Sequence, residues 1–359
     1  MAKQIARASN RNEDYQRFGV DPDTVEPWED GLRTKVDEKN FEWWYFDASL
    51  DDGSSVVATF MTKDPFNLST ELKPWVSFEW TDTQGKTTSY RNDVKAADFS
   101  AKKQYCDVHI GKSYLTGDLR HYELHFEKDD FSADLSIEND LKSWRPAAGA
   151  NLFGDGYFAW LPAVPAATVT GTIRSATKEL AVRGKGYHDH NWGDTLMLKA
   201  MHHWYWGRAN VGDYQVISTE TTAEKTYGYQ KLPVMMIADH EKIISGDESN
   251  MIVEDSDDFI DESTKKPVQK NLKYTVKSEE ATYIVTYKMD KIISGFKMID
   301  EMTGIKKLLA KLAGFDGAYL RFTGEIAVSK YVDNKQVDQA VNPDGIWELM
   351  YFGKTITED

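Results

Sequence analysis

The chain has 359 residues, of which 41% are hydrophobic and 28% are charged. This composition is typical of a globular protein, and the length predicts two domains because single hydrophobic cores stop growing at about 250–300 residues. The formal net charge of −15 would repel a phosphate backbone, so nucleic acid is not an expected partner. The single cysteine, Cys106, excludes an internal disulfide and is expected to be buried as a small apolar residue.

The amino terminus carries basic residues without an apolar run behind them, so it does not resemble a secretory signal. No segment provides the ~20 apolar residues of a membrane helix. We expect a cytoplasmic protein with no membrane span, as a monomer or weak homodimer. The first thirty residues have no sustained periodicity and are predicted to form a surface extension.

An aromatic strand with acidic ends follows at residues 42–47. Alternation predicts one face with Glu42, Trp44 and Phe46 and a second face with Trp43, Tyr45 and Asp47. A carboxyl group that points into a barrel among aromatic rings becomes neutral unless it is partnered, and such a group can act as a general acid. The alternative is that Glu42 simply ends the strand in water.

Short strands with apolar residues at every second position make up most of the sequence. Val76 and Phe78 share one face of such a strand, and Tyr122 and Phe126 share one face of another. Residues 51–53 and 83–86 are predicted hairpin turns. Closely spaced antiparallel strands of this kind are typical of barrels or sandwiches.

The densest polar cluster lies at residues 184–194. In an extended backbone His188 and His190 share one face, and Asp189 points to the other. Three interpretations stay open: a divalent-metal site with His202 or His203 as a further ligand, an acid/base and ligand-orienting site, and a hydrogen-bonded structural corner.

A third cluster occupies residues 202–208. Alternation predicts one face with His202, Trp204 and Trp206 and the opposite face with His203, Tyr205 and Gly207. These rings would line either a cavity or a packed domain interface. Because strand-rich sequence resumes after Asp194, we place the domain boundary between Asp194 and His202. The predicted division is an extension at 1–30, a first domain at 31–198 and a second at 199–359.

The rest of the second half contains further strands, with alternating residues at 272–276, 283–289 and 320–328. The acidic stretch 246–270 is predicted to be a surface segment with a short strand near Ile252. One amphipathic helix is predicted from the apolar stripe at 298–312, with Gly314 as its stop. It would pack on the outside of a barrel or act as a pocket lid.

Three motifs taken together resemble the carotenoid 1,2-hydratase-like family: Glu42-Trp43-Trp44-Tyr45, Gly156-Tyr157-Phe158-Ala159-Trp160-Leu161-Pro162 and Tyr187-His188-Asp189-His190-Asn191-Trp192-Gly193. The resemblance runs from about Phe41 through the second half. It implies an all-β fold, a tandem of two lipocalin-like antiparallel β-barrel domains, and a hydrophobic small-molecule substrate. The family includes carotenoid hydratases, fungal hydratases of prenylated phytoalexins such as kievitone hydratase, and fungal Diels–Alderases.

The resemblance leads to a hydratase hypothesis, in which water adds to an isoprenoid or prenyl C=C bond. Asp189 or Glu42 would donate the proton, and His188 or His190 would accept a proton from the incoming water. The expected substrate-binding residues are Trp43, Trp44, Tyr45, Tyr187, Asn191, Trp192, His202, Trp204 and Trp206. No cofactor and no metal ion is expected. The alternatives are a pericyclic cyclase or isomerase acting on a polyene, and a non-catalytic carrier of terpenoids or lipids.

Overall fold

A computed structural model describes residues 5–240, 242–300, 302, 307 and 315–356. It divides the chain into two compact units, which we call the first unit (Ser9–Leu196) and the second unit (Met1–Ala8 with Met197–Asp359). Each unit consists mainly of antiparallel strands with one apolar face, as the alternating sequence requires. The amphipathic helix predicted at 298–312 lies largely outside the described residues.

The first unit contains one α-helix, two 3₁₀ helices and twelve strands. Its helices are α1 (Asn12–Phe18) and the 3₁₀ helices Pro27–Asp30 and Ala96–Asp98. Strand β1 (Ala6–Ala8) precedes this unit in the chain. The strands of the first unit are β2 (Phe41–Leu50), β3 (Ser55–Met61), β4 (Trp75–Thr81), β5 (Thr87–Asp93), β6 (Phe99–Ala101), β7 (Cys106–Ile110), β8 (Ser113–Gly117), β9 (His121–Lys128), β10 (Phe131–Asn139), β11 (Ala150–Phe153), β12 (Gly156–Ser175) and β13 (Lys178–Gly193). The sheet runs in the order β5-β4-β3-β2-β13-β12-β10-β9-β8-β7-β6, and β11 pairs with β12.

This first sheet curls around one core. Phe78 on β4 stacks on Phe126 on β9 with ring centroids 5.4 Å apart, although β3, β2, β13, β12 and β10 lie between the two strands in the sheet. Cys106 lies in the same core with 1% of its surface exposed, which confirms it as a buried residue. The predicted turns are also confirmed, because Gly53 and Gly85 have φ values of 89° and 80° between paired strands.

The second unit repeats the same architecture. Its elements are α2 (Met197–Ala200), β14 (Met201–Val211), β15 (Tyr214–Ala223), the 3₁₀ helix Lys225–Tyr227, β16 (Lys231–Asp239), β17 (Lys242–Gly246), β18 (Met251–Ser256), β19 (Phe259–Ile260), β20 (Pro267–Val268), β21 (Asn271–Lys277), β22 (Thr282–Lys297), β23 (Ala318–Val332) and β24 (Lys335–Tyr351). The main sheet has the order β17-β16-β15-β14-β24-β23-β22-β21-β18. Tyr214 on β15 contacts Tyr283 on β22 across the core, with ring centroids 6.5 Å apart. The all-β, lipocalin-like fold class is therefore confirmed.

The two predicted surface segments are mostly exposed or half-buried, but each contains buried charged residues. The first thirty residues include Glu29 and Asp30, whose surfaces are only 3% and 0% exposed. The stretch 246–270 contains the expected strand near Ile252, but Lys266 is fully buried, with its ammonium 2.8 Å from Asp316. Periodicity failed here because these side chains are buried through ion pairs, which leave no apolar pattern in the sequence.

Among the described residues, no helix combines the length and apolarity that crossing a lipid bilayer requires.

Candidate functional site

The aromatic strand and the histidine cluster are neighbours in the first unit. Strands β2 and β13 pair antiparallel, with Asp189 opposite Tyr45 and His190 opposite Trp44. The predicted alternation is confirmed: Glu42, Trp44 and Phe46 face the core together with His188 and His190. The structure therefore carries two polar clusters on opposite faces of the same two strands. We call them the inner cluster, around His188 and His190, and the outer cluster, around Asp189.

Asp30 contacts Tyr122, His188 and Trp44 in the inner cluster. Its Oδ2 accepts a hydrogen bond from the Tyr122 hydroxyl at 2.6 Å and lies 3.0 Å from His188 Nε2. Its backbone carbonyl accepts the indole N–H of Trp44 at 3.0 Å, and the Trp44 ring stacks on His190 with centroids 4.5 Å apart. The 3₁₀ helix that ends at Asp30 is thereby tied to three strands of the sheet.

Asp30 and His188 form a buried ion pair. His188 Nδ1 lies 2.8 Å from the Tyr45 carbonyl oxygen, which can only accept, so Nδ1 carries a proton. Burial lowers the pKa of His188, but the Asp30 carboxylate and the hydrogen bonds to Asp30 and Tyr45 raise it above its ordinary value. Burial raises the pKa of Asp30, and the charge and hydrogen bond of His188 bring it below its ordinary value. The pair is therefore an imidazolium and a carboxylate.

Glu42 belongs to the inner cluster as a hydrogen-bond acceptor. Its Oε1 accepts from the backbone N–H of Arg33 at 2.6 Å and from His190 Nε2 at 2.9 Å. Its Oε2 accepts from the backbone N–H and hydroxyl of Thr34 at 2.8 and 2.6 Å. Both oxygens have hydrogen-bond partners within the protein, so Glu42 does not end its strand in water.

The inner cluster contains a set of possible metal ligands that differs from the predicted histidine set. Asp30, Cys106 and His188 place possible ligand atoms within 4.8 Å of one another. However, both ring nitrogens of His188 are already engaged, and burial raises the pKa of the Cys106 thiol well above its ordinary value. A protonated thiol and an imidazolium are poor metal ligands, so the donor set fits an ion pair better than a metal ion.

The outer cluster surrounds Asp189, which is 6% exposed. Its Oδ2 accepts from the Trp160 indole N–H at 2.9 Å and from the Tyr187 hydroxyl at 2.8 Å. Its Oδ1 accepts from the Asn191 side-chain amide at 2.6 Å. All three donors are neutral, and no described residue forms an ion pair with Asp189.

The burial of Asp189 favours its neutral acid form. Burial raises the pKa of Asp189 above its ordinary value, although hydrogen bonds from Trp160 and Tyr187 oppose this rise. Oδ1 accepts from one protein donor and Oδ2 from two, so protonation at Oδ1 disturbs fewer hydrogen bonds. The half-buried rings of Trp43 and Tyr45 lie on the same face of β2. A buried carboxylic acid thus lies beside aromatic rings, one arrangement that supports general acid catalysis.

Removing one donor tests this description of Asp189. Tyr187→Phe keeps the buried ring and deletes only the hydroxyl that stabilises the carboxylate form, so the pKa of Asp189 should rise further. The measurement is a ¹³C NMR titration of the Asp189 carboxyl group. Tyr114→Phe, on the separate strand β8, is the control and should leave the titration unchanged. A fall in the Asp189 midpoint in Tyr187→Phe would contradict the assignment.

The remaining expected substrate-binding residues have different surroundings. Trp192 lies on the inner side, 4.7 Å from the His190 ring centroid. In the second unit, the Nδ1 atoms of His202 and His203 lie 2.7 Å apart. A bulge between Met201 and His203 breaks the alternation, so both histidines are buried and the predicted opposite faces are wrong at this point. Trp204 and Trp206 are half-buried.

Sequence reasoning missed Asp30, Tyr122 and Trp160 as members of the two clusters. Trp160 was present in a family motif, which could have identified it. In the sequence, Tyr122 lies on the apolar face of a predicted strand, and Asp30 lies in a segment without periodicity. Nothing local in the sequence shows that a residue 158 positions away pairs with His188.

Known proteins are similar to this chain in sequence and in fold. Residues 143–248 match the family model for the carotenoid hydratase CrtC. A hydroxyneurosporene dehydrogenase of Chlorobaculum tepidum is 27% identical over 205 residues, covering 47% of this chain and 53% of that protein. The quinolone epoxide rearrangement protein penF of Penicillium thymicola is 30% identical over 101 residues, 28% of this chain and 26% of that protein. The match thus spans about half the length of the first relative and about a quarter of the second.

A solved structure extends the likeness to nearly the whole chain. The kievitone hydratase of Nectria haematococca matches with a TM-score of 0.52 and 12% identity, covering 97% of this chain and 98% of that one. At this identity the match establishes the fold alone. The resemblance to the carotenoid 1,2-hydratase-like family is confirmed over residues 143–248, the segment that contains Trp160 and Asp189.

Proposed function

We propose that this chain is a hydratase that adds water to an isoprenoid or prenyl C=C bond of a hydrophobic small molecule, with Asp189 as the proton donor. The observation that carries the proposal is the buried carboxyl of Asp189, whose pKa is raised by burial and which is held by Trp160, Tyr187 and Asn191 beside half-buried aromatic rings. The match to a hydratase family model supports the reaction class.

The reaction begins with proton transfer from Asp189 Oδ1 to one alkene carbon. The π electron pair forms the new C–H bond, and the other carbon becomes a tertiary cation. A water oxygen then donates its lone pair to that cation and forms the C–O bond. The resulting oxonium returns a proton to the Asp189 carboxylate, so water is added across the double bond and the acid is regenerated.

Asp189 serves as both acid and base in this scheme because the histidines point elsewhere. His188 and His190 face the core, on the opposite side of the sheet from Asp189. Their polar contacts therefore hold strand β13 in place, and neither histidine is positioned to accept a proton from the incoming water. Glu42 has the same inner position, and its oxygens already accept hydrogen bonds from Arg33, Thr34 and His190.

The aromatic rings near Asp189 stabilise the cation. Trp160 donates its N–H to Asp189, and Trp43 and Tyr45 share the outer face of β2. A cation over an indole face gains about 0.5–2 kcal/mol per ring. Partial exclusion of water also protects the cation from premature capture.

A second candidate is an acid-catalysed rearrangement without net addition of water. The 30% identity to a quinolone epoxide rearrangement protein favours it, since a neutral carboxyl can also protonate an epoxide oxygen. The protein would then be an isomerase, with the same Asp189 as acid.

Oxygen labelling separates the two reactions. The full chain is incubated with prenylated phenols, acyclic carotenoid precursors and quinolone epoxides in ¹⁸O-labelled water, and products are examined by mass spectrometry. Hydration is expected to give a product heavier by one labelled water. An unlabelled isomer of the substrate would support rearrangement instead. Binding of every compound without any product would contradict both.

A further inference from the structure

We propose that Asp30 is a positioning residue that keeps a positive charge on His188, directly behind Asp189, and so sets the pH range over which Asp189 holds its proton. The inference deepens the proposed function and rests on it only for the catalytic meaning of Asp189. The coupling between the two faces of the sheet follows from the geometry alone.

The geometric basis is the position of His188 and Asp189 as consecutive residues of one strand. Their side chains leave β13 on opposite faces, so only the sheet backbone separates the imidazolium from the carboxyl group. Both groups are buried, where charges interact more strongly than in water. A positive charge at His188 therefore stabilises the carboxylate form of Asp189.

Several elements face His188. Asp30 contacts it from the 3₁₀ helix, the Tyr122 ring lies 5.0 Å away on β9, and the Tyr45 carbonyl contacts it from β2. Cys106 on β7 belongs to the same cluster, with its thiol kept protonated by burial. Asp30 supplies the negative charge in direct contact with the His188 ring.

Further groups face Asp189. Tyr187 and Asn191 on β13 and Trp160 on β12 donate hydrogen bonds to it, and Tyr45 and Asp47 lie on the adjacent face of β2. Burial raises the pKa of Asp189, and the charge of His188 is among the influences that lower it. Loss of that charge leaves the effect of burial less opposed.

Asp30→Asn isolates the charge from the packing. The amide is isosteric, and its nitrogen in the place of Oδ2 can donate one N–H to His188 Nε2 and the other to the Tyr122 hydroxyl oxygen. His188 Nδ1 keeps its bond to the Tyr45 carbonyl. Without the Asp30 carboxylate, the lowering of the His188 pKa by burial is opposed mainly by the hydrogen bond to Tyr45, so the ring should become neutral near pH 7.

The test uses the full chain and follows two signals, the ¹⁵N shifts of His188 and the ¹³C carboxyl shift of Asp189. The original protein should show an imidazolium at pH 7, and Asp30→Asn should show a neutral ring. The Asp189 midpoint should rise by about one pH unit in Asp30→Asn, as expected for a unit charge several ångströms away. Asp107→Asn is the matched control, because it removes the partner of a half-exposed histidine, His109, on β7, and should leave Asp189 unchanged.

The inference is overturned by a neutral His188 in the original protein, by an unchanged Asp189 midpoint in Asp30→Asn, or by an equal shift in the control. If Asp30→Asn does not fold, the original protein still decides the question. Its Asp189 signal must respond when His188 loses its proton at higher pH, and no response refutes the coupling. None of these measurements needs a substrate, so a failure of the hydratase proposal would be seen separately, in the oxygen-labelling experiment.

Discussion

Asp189→Asn should reduce turnover of the hydrated substrate about 10²–10⁴-fold, the usual contribution of a general acid, while the protein remains folded. The amide is isosteric with the carboxyl group but has no acidic proton to transfer to the alkene. Substrate affinity should change little, since Trp43 and Tyr45 remain in place. The measurement is kcat and KM by product chromatography, together with the thermal unfolding midpoint.

The pH profile adds a second expectation for Asp189. The acid must be protonated before each turnover, and its pKa is raised by burial. Activity should therefore fall as the pH rises through this raised pKa, and this limb should be lost in Asp189→Asn. The control is Asp134→Asn on β10, which makes the same chemical change. It removes a half-exposed carboxylate that pairs with His125 on β9 and Arg174 on β12. Equal losses in both variants would refute the assignment of Asp189 as the acid.

His188→Ala should cost about 3–5 kcal/mol in the free energy of unfolding near neutral pH, because it leaves the Asp30 carboxylate buried without its charged partner. The Tyr122 hydroxyl alone does not replace the lost ion pair. Chemical denaturation of the full chain gives the difference, with the first unit followed through its tryptophan fluorescence. A loss below about 1 kcal/mol, the size typical of exposed pairs, would show that Asp30 is not charged.

The sign of the pH dependence follows from the two pKa directions. The raised pKa of His188 contributes stability that is present below the ordinary histidine value and is lost as the pH rises through the folded value. The lowered pKa of Asp30 contributes stability that is present above the ordinary carboxyl value and is lost as the pH falls through the folded value. The cost of His188→Ala should therefore be greatest between these limits. His125→Ala, which breaks a more exposed pair with Asp134, should cost less than about 1 kcal/mol at any pH.

In the proposed mechanism, the inner face of β13 contributes stability and the outer face contributes the acid. The inner cluster joins Asp30, His188, His190 and Glu42 in close polar contacts that hold the strand in place. The outer cluster surrounds Asp189 with uncharged donors, and burial raises the pKa of this carboxyl group. Because the residues alternate along one strand, whatever fixes the histidines also fixes the acid between them.

The sequence by itself determined the alternation of this site. A strand places successive side chains on opposite faces, so the shared face of His188 and His190, the opposite direction of Asp189 and the core-facing position of Trp44 could be predicted without coordinates. The motifs added the fold class, since a lipocalin-like tandem follows from a family resemblance and not from strand periodicity alone.

Only the tertiary structure decided which carboxyl group is the candidate acid. Glu42 and Asp189 are equivalent in the sequence as acids among aromatic residues, and their difference comes from partners distant in the chain. Arg33, Thr34 and His190 occupy the oxygens of Glu42, whereas Asp189 has only uncharged donors and burial raises its pKa. The role of Asp30 could not be predicted from the sequence for the same reason. The charge of a buried group depends on its neighbours in space, and the local sequence pattern does not show which residues these are.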